Sequence, residues 1–141
     1  MNIALLTEGW NRFYIMSSLN GMFARAKERG IEIFVAQFAS FGDWCKNQEF
    51  NEGEYSVYKM TDFSEFDAIV LDVSDMSQHE IESRIFPIIS HLNVPVLAID
   101  SHFPGIHYIS HNNYESISTM MDHLHNKHHV NSFAFFGGPK G

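Results

Sequence analysis

Apolar positions along this chain recur with two periods. Ile3 to Leu6 is a short unbroken apolar run closed by Thr7-Glu8-Gly9, the pattern of a buried strand. From Asn11 to Arg29 the period lengthens. Ile15, Met16, Leu19, Met22, Phe23 and Ala26 fall at three- and four-residue steps and so share one helix face. Arg25, Lys27 and Arg29 crowd the last turn, where positive charge complements the helix dipole, and Gly30 is placed to end the helix in a left-handed conformation. The stretch "IEIFVAQF" then alternates and is β-branched or aromatic, which predicts a second strand.

Residues 39–63 have no sustained period. A short helix near Trp44 to Gln48 and a short strand at "YSVYKM" are the elements expected there. "FDAIVLD" reads as a buried parallel strand. Ser77-Gln78-His79-Glu80 fits a capping box and opens a helix with Ile81, Ile85, Ile88, Ile89 and Leu92 on its apolar side. Pro87 inside it removes one backbone bond and should kink or restart the helix. "VPVLAID" is the next strand, a turn at Phe103-Pro104-Gly105 follows, and then the short strand "HYIS". Asn112 or Asn113 caps a helix carrying Ile117, Met120, Met121 and Leu124, and "SFAFFGG" is a last strand. Strand and helix alternate, which predicts an α/β fold: an open, mainly parallel sheet with helices on both faces.

Composition narrows the function classes. The chain has 141 residues, 45% of them apolar and 18% charged, enough for one compact domain with a real core. The net charge of −8 repels a phosphate backbone, so no direct nucleic-acid contact is expected. Cys45 is the one cysteine, so no intrachain disulfide forms. The amino-terminal run lacks a basic region and a cleavage pattern, and no apolar stretch approaches the roughly 20 residues that span a bilayer. A cytoplasmic location without membrane contact is therefore expected.

In an open parallel sheet, ligands bind outside the carboxyl ends of the strands. That rule selects Thr7, Glu8, Trp10 and Phe13 after the first strand, Asp72, Ser74 and Asp75 after "FDAIVL", and Asp100, Ser101 and His102 after "PVLAI". Asn112 and Asn113 stand ahead of the last helix. Hydroxyls, amides and carboxylates with Trp10, Phe13 and Phe103 as flat surfaces suit a sugar-like ligand, whose hydroxyls need polar partners and whose C–H faces need an aromatic. Taken singly, each of these Asp and Ser residues reads equally well as a helix cap; their convergence carries the site. Four of the nine histidines lie between His123 and His129. Structural zinc usually takes four N or S ligands, and Cys45 is distant in sequence, so the cluster reads as a polar helix end and no metal or other cofactor is expected. No G-x-G-x-x-G, P-loop or G-x-S-x-G motif is present, and the expectation is a protein without enzymatic activity.

"FDAIVLD", "VPVLAID", "HYISHNNYESI" and "HLHNKHHVNSFAFFGGP", in that order, resemble the effector-binding domain of the lactose-repressor family, which has the periplasmic-binding-protein type I fold. Asn112-Asn113 stands where the family has Asp-Asn, and His123-Leu124, Lys127-His128 and the stretch from Phe133 to Pro139 match its final motif. The stretch "EFNEGEYSVYKMTDFSEFD" resembles a subgroup whose sensor domains are fused to diguanylate cyclase or other output modules, with an irregular segment in place of the second long helix. The resemblance covers nearly the whole chain. It implies that residues 1–131 form the N-terminal lobe of a ligand-sensing domain and residues 132–141 the first strand of a second lobe.

The expected function is thus sensing of a small polar effector, sugar- or nucleoside-like, by a regulator of transcription or signalling. Asp72, Ser74, Asp100, Ser101 and His102 are the expected ligand contacts together with Thr7, Glu8, Trp10, Phe13 and Asn113. Two rivals come from other classes. One is a receiver-like phosphoacceptor domain using Asp72, although Glu8 is the one acidic residue after the first strand where a receiver has a pair. The other is a dimerisation module. In the tail, Phe133, Phe135 and Phe136 need an apolar partner. They can fold back onto this lobe's own sheet or dock on a second copy, and a homodimer is the expectation.

Overall fold

The computed structural model of the protein describes residues 1–8, 13–38, 48–73, 76 and 78–137. The chain forms two compact units, Met1–Ser110 and His111–Gly141.

In the first unit five strands form one parallel sheet: β1 (Asn2–Glu8), β2 (Glu32–Phe38), β3 (Ala68–Asp72), β4 (Val96–Ile99) and β5 (His107–Ile109), in the order β2-β1-β3-β4-β5. β1 and β3 read as unbroken apolar runs because both their faces are covered, whereas β5 at the sheet edge is exposed at all three residues. Ala4, Leu6, Ile69, Leu71 and Ala98 point to one face, where they meet Tyr55, Phe63, Ile81, Ile85, Ile89 and Phe103. Leu5 points to the other and packs with Ile15 and Leu19, beside Val35 and Val70. Helix α1 (Phe13–Arg29) covers that second face, with Lys27 and Arg29 in its last turn and Gly30 at φ 64° closing it, as its pattern predicts.

The segment before β3 differs from expectation. Residues Gln48–Lys59 form helix α2, including most of the stretch "YSVYKM" that reads as a strand. Gly53 weakens the helical signal, and Tyr55 and Val57 mimic strand alternation. Tertiary packing overrides both: Tyr55 is 1% exposed, and its hydroxyl donates to Glu80 Oε1 at 2.7 Å. Arg84 lies 4.0 Å from the Tyr55 ring centroid and donates to Glu52 Oε1 at 2.6 Å. That bond to Arg84 holds the Glu52 carboxyl below its ordinary value. A regular α2 also removes the irregular segment on which the likeness to the cyclase-fused subgroup rested. The expected helix near Trp44 to Gln48 lies mostly outside the described residues.

Pro87 has the effect its chemistry dictates. Helix α3 (Gln78–Glu80) runs into a π-helical turn, Ile81–Ile85, where Phe86 N–H donates to Ile81 O, and α4 (Phe86–Ile89) restarts with Pro87 near its beginning. The wide turn keeps Ile81, Ile85 and Ile89 together in the core. Ser77 of the expected capping box lies outside the described residues. After β4, Phe103-Pro104-Gly105 makes a type II turn: Gly105 has φ 77°, and Ile106 N–H donates to Phe103 O at 3.2 Å.

The second unit contains α5 (Asn113–His128). Asn112 is its N-cap, accepting from Glu115 N–H at 3.1 Å, and His129 ends it at φ 56° with its N–H bonded to His125 O. Residues 132–137, the described part of the expected strand "SFAFFGG", have no regular structure. No helix among the described residues is long and apolar enough to cross a membrane.

Candidate functional site

The chain leaves β1 for β2 on one side and returns to β3 on the other, so the strand order reverses between β1 and β3. Such a switch point opens a crevice at the carboxyl ends of the strands. Thr7 and Asp72 are register partners there, the last pair between β1 and β3. Both belong to the face that α1 covers, since Leu5 and Val70 precede them by two residues. Both are buried, Thr7 at 0% and Asp72 at 4% exposure. The Thr7 Oγ1 has no hydrogen-bond partner among the described residues. A buried hydroxyl in that state costs stability unless something outside the apo fold satisfies it.

Asp100 follows β4, the neighbour of β3, so it stands at the same edge of the sheet. Its backbone is left-handed, φ 49°, and its N–H donates to Ile109 O at 2.9 Å. The side chain accepts a 2.5 Å hydrogen bond from the Tyr14 hydroxyl, which crosses from the first turn of α1. That bond raises the Tyr14 phenol above its ordinary value. Partial desolvation and the negative charges of Asp100 and Asp72 add to the effect, and a hydrogen bond with Ser18 opposes it. The Tyr14–Asp100 pair, with Ser18 one turn along α1, thus stands at the same carboxyl edge of the sheet as Thr7 and Asp72.

Other expected contacts are less central. Ser101 is half-buried after Asp100, and His102 is exposed, edge-on to Tyr108 with ring centroids 4.6 Å apart. Phe13 is 89% exposed at the start of α1 and available as a stacking surface. Phe103 is not: it is 2% exposed and packs edge-on against Phe86 at 5.5 Å, so the expectation of Phe103 as a ligand-facing ring is corrected. Glu8 ends β1. Trp10, Ser74 and Asp75 lie outside the described residues, and Asn113 belongs to the second unit. Tyr14 is not legible as a contact in the sequence. The signal that points to it is the pair Tyr14 and Ser18, polar groups four residues apart on one helix face. On the amino side of this cluster, α1 and the sheet border a groove of about 510 Å³ lined by Leu5, Met22, Val70, Leu97 and Ile99, with Ser18, Arg25 and Arg29 also in its lining.

The histidines of α5 form a separate arrangement. His123 Nε2 and His128 Nε2 are 3.1 Å apart, and His125 Nδ1 lies 3.2 Å from Val130 O. Among the described residues no group of three or more His, Cys, Asp or Glu is disposed to hold a metal ion. Micromolar zinc is therefore expected to leave the melting temperature unchanged. A gain of about 4 kcal/mol, the effect of ligand at a thousand times its Kd, would show a tight site.

No protein-family model matches the chain, and no curated protein sequence matches it. Solved structures do. The LacI family transcriptional regulator CcpA from Weissella paramesenteroides with bound glucose superposes with a TM-score of 0.58 at 10% identity. The same regulator with bound sucrose superposes with a TM-score of 0.57 at 10% identity. Both comparisons cover 88% of this chain, and the chain spans 41% of the length of those structures. The parallel five-stranded α/β architecture of the first unit is the fold shared with those structures.

Proposed function

We propose that this lobe senses a small polar effector, sugar- or nucleoside-like, on behalf of a regulatory protein. The observation that carries the proposal is the Thr7 hydroxyl. It is fully buried and, among the described residues, unpartnered at the switch point of the sheet, in register with Asp72 and beside the Tyr14–Asp100 pair. Structural neighbours of this fold hold glucose and sucrose and are transcriptional regulators, which supports a binding module over an enzyme. The receiver-like alternative fares worse. A receiver needs a pair of acidic residues after its first strand, and Glu8 is the one this sequence offers there.

In this proposal the effector sits at the strand ends of this lobe and is closed over by a second lobe. Ligand binding favours the closed arrangement, and an output domain elsewhere in the protein responds to it. One lobe offers one wall of such a site, so its own affinity is weak, with Kd on the order of 1 mM. Ligand-detected NMR with the full chain and a panel of neutral mono- and disaccharides and nucleosides tests this. At least one compound is expected to show saturation transfer that Asp100→Ala abolishes. A panel without response, or a response indifferent to Asp100→Ala, would overturn the proposal.

A further inference from the structure

Resting on the effector proposal, we infer that the site selects by charge: it takes an uncharged polyhydroxylated molecule and refuses the phosphorylated or carboxylated form of the same skeleton. Asp72 ends β3 and Asp100 follows β4, the strand paired with β3, so both stand at the carboxyl edge of the sheet, where the Tyr14 hydroxyl donates to Asp100. Thr7 Oγ1, buried and unpartnered among the described residues, points to the same face of the sheet as its register partner Asp72. A group that satisfies Thr7 must therefore sit among these carboxylates.

Carboxylates accept hydrogen bonds and do not donate them while ionised, so the complementary ligand surface is rich in donors. A hydroxyl fits every member of the cluster, since it donates to a carboxylate and can donate to or accept from Thr7. A phosphate or carboxylate group offers acceptors to acceptors and adds a negative charge. The chain's net charge of −8 acts in the same direction at longer range.

The test compares matched probes on the full chain by NMR titration at fixed ionic strength: glucose with glucose 6-phosphate and glucuronate, and adenosine with its 5′-monophosphate. In at least one set the neutral member is expected to bind at least tenfold more tightly, about 1.4 kcal/mol. Asp100→Asn keeps the size and one acceptor for Tyr14 while removing the charge, and is expected to shrink that ratio several-fold. Glu65→Gln removes an exposed carboxylate ahead of β3, away from the cluster, and should leave the ratio unchanged. Equal or tighter binding of the anionic members, or a ratio untouched by Asp100→Asn, would overturn charge selection while leaving the effector proposal standing. If no member of any set binds, both fall.

Discussion

Truncating Phe103 to alanine is expected to cost about 3–5 kcal/mol of folding stability, the penalty for emptying a filled aromatic site in a core. The ring is 2% exposed and belongs to the main core with Leu71, Ile85 and Ala98. It meets Phe86 edge-on at 5.5 Å, a geometry that adds to simple area burial. Phe103 is also the first residue of the type II turn that sends the chain from β4 to β5. The resulting cavity would lie three residues from Asp100, so the left-handed segment that presents Asp100 would lose its support. Urea denaturation of the wild type, Phe103→Leu and Phe103→Ala measures this, with the leucine variant expected to recover most of the loss. A loss below about 1 kcal/mol for the alanine variant would mean that the ring is not part of the core.

Replacing Thr7 by valine is expected to have the opposite sign. The two side chains have nearly the same shape and both suit a strand. Valine removes the hydroxyl that is buried without a partner among the described residues, and relief of that burden is worth about 1–3 kcal/mol. The unliganded protein should therefore become more stable, with a higher urea midpoint at unchanged slope. Effector binding should weaken by about tenfold, the equivalent of one lost hydrogen bond of ~1.4 kcal/mol. A site kept at the expense of stability has this signature; a hydroxyl that is merely structural does not. If Thr7→Val destabilises the protein, the hydroxyl has a partner such as a bound water, and the proposed site loses its main support.

The strands and α1 are legible in the sequence because their signals are local and mutually consistent. Continuous apolar runs announce β1 and β3 as strands covered on both faces, and the charged last turn followed by Gly30 marks where α1 stops. The strand-end rule then puts Thr7, Asp72 and Asp100 along one edge of the sheet. What the sequence withholds depends on contacts between distant segments. Helix α2 forms around Tyr55, whose partners Glu80 and Arg84 lie at least 25 residues away, while its own composition speaks against a helix. Phe103 looks like a rim aromatic because it follows Asp100-Ser101-His102, and only the turn reveals that it points inward. Tyr14 joins the cluster through a hydrogen bond spanning 86 positions, which no periodicity encodes.

The position of β1 bears on how the protein reaches its folded state. The first strand of the chain is flanked in the sheet by β2 and β3, so its second edge stays open until the β3 segment has arrived. Thr7, Tyr14, Asp72 and Asp100 are brought together by three successive crossovers, and each must close before the cluster exists. Pairings of this sequence separation carry a loop-closure cost that makes parallel sheets slow to fold. Competence for an effector would thus appear late, with the last slow phase of refolding, while helix α1 and its local contacts form early. During synthesis β1 would leave the ribosome long before β3 could cover it, a window in which an apolar strand with an open edge is prone to associate with other chains.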